Sequence, residues 1–241
     1  MLMPMPVLVV ALTMGARAPG VSAPCVQPTT VPPAESGEPR NIDGLKDQLT
    51  YYQCSGAYDR EVNRVLDSAI AYVVRRSVTG TKLALVLDID ETSLSNWQEI
   101  KANDFGFIPR GGLCDHLPDG PCPDSAWERQ AAAGAINPTL RLFTVAQAHH
   151  VAVFFISGRR ENLREGTTTN LHNVGYSDWV DLLLRPVDDT LTVQQFKTAQ
   201  RKQITMSGYR IIANVGDQYS DLRGGYAERR FKVPNPFYFI P

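Results

Sequence analysis

Short unbroken runs of apolar residues recur along this chain. The first is 83–87 (LALVL), and similar runs follow at 151–156, 182–184, 210–215 and 231–233. Runs of this kind are typical of strands that are buried on both faces of a parallel sheet. The pattern therefore predicts a sheet in which the last run forms a short strand near the edge.

Helical patterns lie before and between these strands. Residues 58–76 place their apolar side chains at spacings of three and four, and further helices are predicted at 137–149, 162–174 and 192–208. This alternation predicts an α/β fold, a doubly wound, Rossmann-like parallel sheet with helices on both faces. The segment 96–136 interrupts it between the first and second strands, and is long enough to form a small cap.

The chain before the first helix has a different composition. Residues 1–23 contain a short apolar run followed by small residues, which predicts a secretory signal peptide. Residues 24–41 are rich in Pro, Thr, Ser, Glu and Gly, which predicts a flexible linker. We therefore expect a folded domain over 42–241 and a secreted, extracellular protein with no membrane attachment after signal removal. A lipid on Cys25 is an alternative, but Pro24 stands where such sites need a small residue.

Charge and cysteine content narrow the picture further. The formal net charge is -1, so no overall basic field is available to bind a nucleic acid polymer or an anionic membrane. The 4 cysteines can form two disulfides in three alternative ways. We favour Cys114 with Cys122, because they flank a segment rich in turn-forming residues, which leaves Cys25 with Cys54. Their spacing does not favour a zinc site.

Acidic and hydroxyl side chains stand where the predicted strands end. Asp88 directly follows the first strand and Asp90 lies two residues later, while Ser157 ends the second strand and Asp217 follows the fourth. The carboxyl ends of parallel strands meet at one edge of the sheet, where such folds bind ligands. Carboxylate oxygens from Asp88 and Asp217 favour Mg²⁺ over zinc.

This chemistry suits phosphoryl transfer. Asp88 could attack phosphorus and form an acyl phosphate, with Asp90 as the general acid and base. Asp90 must first carry a proton, and we expect the like charge of Asp88 to raise its pKa.

Four segments resemble the motifs of a known family. The segment 88–92 (DIDET) is similar to the first motif of haloacid dehalogenase superfamily phosphatases, 155–159 (FISGR) to the second and 216–221 (GDQYSD) to the fourth. The segment 196–202 (FKTAQRK) resembles the third-motif lysine segment of the class B-like acid phosphatases, subfamily IIIB. That branch includes bacterial secreted acid phosphatases and plant vegetative storage proteins. The likeness extends over 42–241.

The resemblance implies a role for each matching residue. Asp88 would be the nucleophile and a Mg²⁺ ligand, and Asp90 the acid and base, with its backbone carbonyl on the metal. Asp217 would be a further metal ligand, and Asp221 would bind the metal directly, through water, or only orient its neighbours. The residues implied for phosphate binding are Thr92, Ser157, Gly158 and Lys197.

Some alternatives stay open within this resemblance. Lys197 is preferred to Lys202 because it has the family's spacing to the glycine that ends the helix. The aromatic residues Trp97, Phe105 and Phe107 either stack on a leaving group or pack the insert.

The implied function is that of a secreted, Mg²⁺-dependent acid phosphatase acting on small-molecule phosphate monoesters. A storage or binding protein on the same scaffold is an alternative, because some plant relatives have lost the nucleophile, but Asp88 is intact here. Dehalogenase chemistry is disfavoured, since Asp90 and Asp217 serve phosphoryl transfer. The sequence does not predict the oligomeric state.

Overall fold

A computed structural model describes residues 24–29 and 37–241. The predicted signal peptide, 1–23, lies outside the described residues, as does the 30–36 part of the predicted linker. Within the described ranges, no helix combines the length and the apolar character needed to cross a bilayer.

The described residues form strands and helices in the predicted alternation. The strands are β1 (Leu83–Leu87), β2 (Leu94–Ser95), β3 (Gly134–Ala135), β4 (Ala152–Arg160), β5 (Asp181–Arg185), β6 (Arg210–Gly216) and β7 (Arg229–Lys232). The α-helices are α1 (Ile42–Cys54), α2 (Ala57–Ser77), α3 (Trp97–Ala102), α4 (Asp124–Gln130), α5 (Asn137–Ala148), α6 (Arg164–Asn173), α7 (Val193–Met206) and α8 (Tyr219–Leu222). A short 3₁₀ turn, Glu161–Leu163, precedes α6.

The central sheet has five strands in the order β5-β4-β1-β6-β7, and all neighbouring strands are parallel. Leu87 at the end of β1 is in register with Phe155 of β4 and Val215 of β6. The residues that follow Leu87 and Val215 therefore emerge at the same edge. The predicted α/β parallel sheet is confirmed.

The strand β1 is buried on both sides because helices pack against each face of the sheet. Leu85 and Leu87 belong to the larger apolar cluster, which includes side chains from α2, α5 and α6. Val86, which points the other way, packs in a second cluster with Phe196 and Ile204 of α7. The two clusters keep the strands fixed, and with them the residues at the strand ends.

Two features of the N-terminal and central segments differ from the sequence pattern. The helix α1 was not predicted, since its one buried residue is Gly44 and its apolar stripe is weak. The strand β4 does not end at Ser157 as predicted but continues to Arg160, where it pairs with Arg185 of β5. Hydrogen bonding to β5 extends the strand beyond its apolar part.

The segment 96–136, called the insert below, contains α3, α4 and β3. Its base is closed by the antiparallel pair of β2 and β3. Cys114 and Cys122 form a disulfide within it, and the Asn103 side chain donates to the carbonyl of Cys122 at 2.7 Å. The other bridge joins Cys25 to Cys54, so the favoured pairing is confirmed.

Candidate active site

Three buried carboxylates meet at the carboxyl edge of the sheet. Asp88 follows β1, and its backbone N–H donates to the carbonyl of Val215 at 3.0 Å. Asp217 follows β6, and Asp221 lies on α8. One carboxylate oxygen of each residue lies within 4.8 Å of the others. The structure therefore brings together the nucleophile and two of the metal ligands that the resemblance implies.

Lys197 of α7 lies between two of these carboxylates. Its Nζ donates to Asp221 Oδ1 at 2.7 Å and also to Asp88 Oδ1. Lys202 is exposed on the same helix, so Lys197 is the lysine that reaches the site. Burial opposes the charge of Lys197, but the two carboxylates outweigh it and raise its pKa.

The charges of this cluster fit a divalent cation. Among the residues the structure describes, Lys197 is the one cationic side chain that forms an ion pair with any of the three carboxylates, and it pairs with Asp88 and Asp221. Ionisation of all three would thus leave two negative charges without a partner. Burial raises the pKa of Asp88, and burial together with the charge of Asp221 raises that of Asp217 to about 7. Hard oxygen ligands of this kind suit Mg²⁺.

The carboxylate of Asp217 accepts hydrogen bonds from three side chains of the described part of the chain. Thr92 Oγ1 donates to its Oδ1 at 3.2 Å, while Gln218 Nε2 and Asn235 Nδ2 donate to its Oδ2 at 2.8 and 2.6 Å. Thr92, which the resemblance implies for phosphate binding, is thus joined to a metal ligand in this structure. The donors fix the orientation of the Asp217 carboxylate.

The side chain of Asp90 is paired with Arg159, which follows Ser157 and Gly158. Arg159 Nη2 donates to Asp90 Oδ1 at 2.7 Å and its Nε to Oδ2 at 3.2 Å. Burial alone would raise the pKa of Asp90, but the guanidinium and the amide of Asn96 outweigh it and lower that pKa. The expectation that Asp88 raises the pKa of Asp90 is therefore wrong, because it left Arg159 out of account.

Arg159 also connects the site to the insert. Its Nε lies 2.9 Å from Oε1 of Glu128 on α4, and its Nη1 donates to Thr167 Oγ1 at 3.2 Å. Burial raises the pKa of Glu128 to about 8. Neither Arg159 nor Glu128 is among the site residues predicted from the sequence. Arg159 could have been identified from its place in the second motif, whereas no local sequence pattern points to Glu128.

Glu91 and Asn96 form a second network beside Asp90. Asn96 donates to Glu91 Oε1 through its backbone N–H at 2.6 Å, and to Asp90 Oδ1 through its side-chain amide at 2.8 Å. Tyr238 OH donates to Glu91 Oε2 at 2.7 Å, and Trp127 Nε1 to Asn96 Oδ1 at 2.9 Å. Asp90 is thereby held from two sides, by Arg159 and by Asn96.

Ser157 and Gly158 lie on β4 beside these groups. Ser157 is fully buried, and its Oγ accepts from the backbone N–H of Arg159 at 3.1 Å. A methyl group added to Gly158 would be 3.8 Å from Val193, so the space in front of the glycine is not crowded. Their role in phosphate binding stays a prediction.

The aromatic residues of the insert divide into two groups. Trp97 and Phe105 pack against the larger apolar cluster, with their ring centroids 6.0 Å apart. Phe107 is 73% exposed. Packing of the insert therefore accounts for Trp97 and Phe105.

Comparison with known proteins shows which family this chain matches. Residues 40–241 match the family described as HAD superfamily, subfamily IIIB (Acid phosphatase). The chain is 32% identical over 197 residues to Acid phosphatase 1 of Solanum lycopersicum, covering 80% of this chain and 74% of that protein. It is 30% identical over 159 residues to Vegetative storage protein 1 of Arabidopsis thaliana, covering 65% of this chain and 55% of that protein.

A solved structure supports the same fold. The class C acid phosphatase from Bacillus anthracis superposes with a TM-score of 0.62, covering 80% of this chain and 86% of that chain. The sequences are 19% identical, so this likeness concerns the fold alone.

Proposed function

Because this chain belongs to the subfamily IIIB acid phosphatases of the HAD superfamily, we propose that it hydrolyses small-molecule phosphate monoesters with Mg²⁺, through an aspartyl phosphate on Asp88. The observation that carries the proposal is the buried group of Asp88, Asp217 and Asp221, joined by Lys197. The two disulfides favour a secreted protein, since disulfides persist in oxidising compartments.

The residues proposed to hold Mg²⁺ are the carboxylates of Asp88, Asp217 and Asp221, with the backbone carbonyl of Asp90. When bound, Mg²⁺ would draw negative charge from the phosphoryl oxygens and make phosphorus easier to attack. The cluster has the charge for this role, because Lys197 balances one of three carboxylates.

Asp88 is suited to act as the nucleophile. Lys197 donates to its Oδ1, which leaves Oδ2 as the oxygen for attack on phosphorus. Its backbone is fixed on both sides, since the N–H donates to Val215 and the carbonyl accepts from Ser93 Oγ at 2.6 Å. Such positioning lowers the entropic part of the barrier.

Asp90 is the proposed general acid and base. In the first step its carboxyl group would protonate the leaving alcohol oxygen, and in the second its carboxylate would take a proton from the attacking water. Because Arg159 lowers the pKa of Asp90, the protonated form that the first step needs becomes more populated as the pH falls, so acidic pH favours that step. Arg159 and Asn96 hold its Oδ1, so the side chain keeps one orientation through both steps. Ser157, Gly158 and Lys197 are proposed to bind the phosphoryl oxygens, with Thr92 supporting Asp217 beside them.

Hydrolysis of p-nitrophenyl phosphate by the purified protein tests this function. We expect EDTA to abolish phosphate release and added Mg²⁺ to restore it. Asp88→Asn is nearly isosteric, so it should keep the circular dichroism spectrum of the parent while losing roughly 10⁴-fold or more in kcat.

A matched control is Asp188→Asn, which changes an exposed aspartate outside the site and should leave kcat unchanged. Parent-like turnover by Asp88→Asn would refute the assignment of the nucleophile. A folded parent protein that releases no phosphate across a panel of phosphomonoesters would favour the storage or binding alternative.

A further inference from the structure

The segment 235–240, which follows β7, packs across one side of the carboxylate cluster. The ring of Phe237 lies 5.5 Å from that of Tyr58 and 5.2 Å from that of Trp97, between centroids. The backbone N–H of Ile240 donates to Gln218 Oε1 at 3.2 Å, and its carbonyl accepts from Ser220 Oγ at 3.2 Å. The segment is therefore attached to the residues on either side of Tyr219, next to Asp217.

Asn235 is the residue of this segment that contacts a proposed metal ligand. Its Nδ2 donates to Asp217 Oδ2 at 2.6 Å, and its Oδ1 accepts from the backbone N–H of Phe237 at 2.9 Å. The second contact determines how the amide is turned, because an N–H group must face the amide oxygen. The NH₂ group is consequently the end that faces Asp217.

The donors to Asp217 are unevenly shared between its two oxygens. Oδ2 accepts from Asn235 Nδ2 and from Gln218 Nε2, whereas Oδ1 accepts only from Thr92 Oγ1 among the residues the structure describes. A carboxylate oxygen has about two lone pairs. The lone pairs of Oδ2 are therefore occupied, and Oδ1 keeps one that can bind a cation.

We propose that Asn235 is a positioning residue of the magnesium site, which holds Asp217 so that Oδ1 faces the cation. The inference rests on the proposed function, because it requires Asp217 to bind Mg²⁺. Loss of such an outer partner typically weakens metal binding by about 10–100-fold.

The variant Asn235→Ser isolates this contact. A serine oxygen can still accept from the N–H of Phe237 and keep the turn, but the side chain is too short to donate to Asp217. Isothermal titration calorimetry with Mg²⁺ alone should show about 10–100-fold weaker binding. Hydrolysis of p-nitrophenyl phosphate should recover most of the parental kcat once Mg²⁺ is raised to saturation.

Two further variants complete the experiment. Phe239→Ala changes a residue of the same segment that is 73% exposed, and it should bind Mg²⁺ like the parent. Gln218→Met removes the other donor to Oδ2 and also the acceptor of the Ile240 N–H. It should weaken binding at least over the same range, and it tests whether the hold on Oδ2 matters if Asn235→Ser does not fold.

The outcomes separate this inference from the proposed function. Parent-like Mg²⁺ binding by Asn235→Ser, beside a parent that binds Mg²⁺ and hydrolyses the ester, would overturn the inference and leave the function standing. Equal weakening by Phe239→Ala would also overturn it, since the segment would then act through general stability. A parent protein that binds no Mg²⁺ would refute both the inference about Asn235 and the proposed function.

Discussion

An alanine at position 216 would place a methyl group against the side chain of Asp221. A Cβ built on Gly216 lies 2.5 Å from Asp221 Cβ and 2.6 Å from its Oδ2. Gly216 is not among the glycines with a positive φ, so alanine can adopt its backbone conformation. The effect of Gly216→Ala is therefore steric and directed at one carboxylate.

The size of the effect follows from these distances. Carbon atoms in contact are normally about 3.5–4.0 Å apart, so the two groups must separate by roughly 1 Å. Asp221 cannot yield freely, because its Oδ1 accepts from Lys197 and its Oδ2 from the backbone N–H of Gln218 at 2.8 Å. We expect a loss of about 1–3 kcal/mol in the free energy of unfolding from overpacking. A displacement of about 1 Å in the site should lower kcat/KM by roughly 100-fold.

Urea unfolding and hydrolysis of p-nitrophenyl phosphate at saturating Mg²⁺ measure the two effects. Gly134→Ala is the matched control, since a Cβ there has no atom within 4 Å and the glycine has no positive φ. It should resemble the parent in both assays. Gly216→Ala with a kcat/KM close to that of the parent would show that the position of Asp221 does not matter for turnover.

Two other changes test the packing of the insert. Burial, helped by the charge of Asp124, raises the pKa of Glu99 from 4.5 to about 8, so between these values the folded protein holds a proton that the unfolded chain releases. The contribution of Glu99 to the free energy of unfolding should therefore fall as the pH rises through this window, by at most about 1.4 kcal/mol per pH unit. Glu99→Gln should remove this contribution. Urea unfolding of both proteins across the window measures this, and parallel pH profiles would contradict it. Trp127→Phe leaves the buried Asn96 Oδ1 without its donor and should cost about 1–3 kcal/mol in the free energy of unfolding, whereas an unchanged urea midpoint would argue against that bond.

The strands were the most predictable part of the fold. The run Leu83–Leu87 coincides with β1, because every one of its residues is buried and none could be polar without cost. Where burial did not decide the structure, the pattern was less informative. Residues 158–160 join β4 through pairing with β5, and α1 forms with little buried apolar surface of its own.

The convergence of the carboxylates could also be anticipated. Asp88 and Asp217 directly follow strands that are neighbours in the sheet, and parallel strands end at one edge. The lysine that reaches them was identified by its spacing in a family motif, and the structure places it between Asp88 and Asp221.

The alternation of strands and helices, and the placement of acidic residues at the strand ends, could be inferred without the structure, because both follow from local periodicity and chain direction. The partners of those acidic residues depend on the folded arrangement of distant segments. Arg159 meets Asp90 from 69 positions away and Asn235 meets Asp217 from 18, across segments whose paths no local pattern describes. These contacts set the pKa of Asp90 and the orientation of Asp217, since both depend on which groups the folded chain brings within hydrogen-bonding distance.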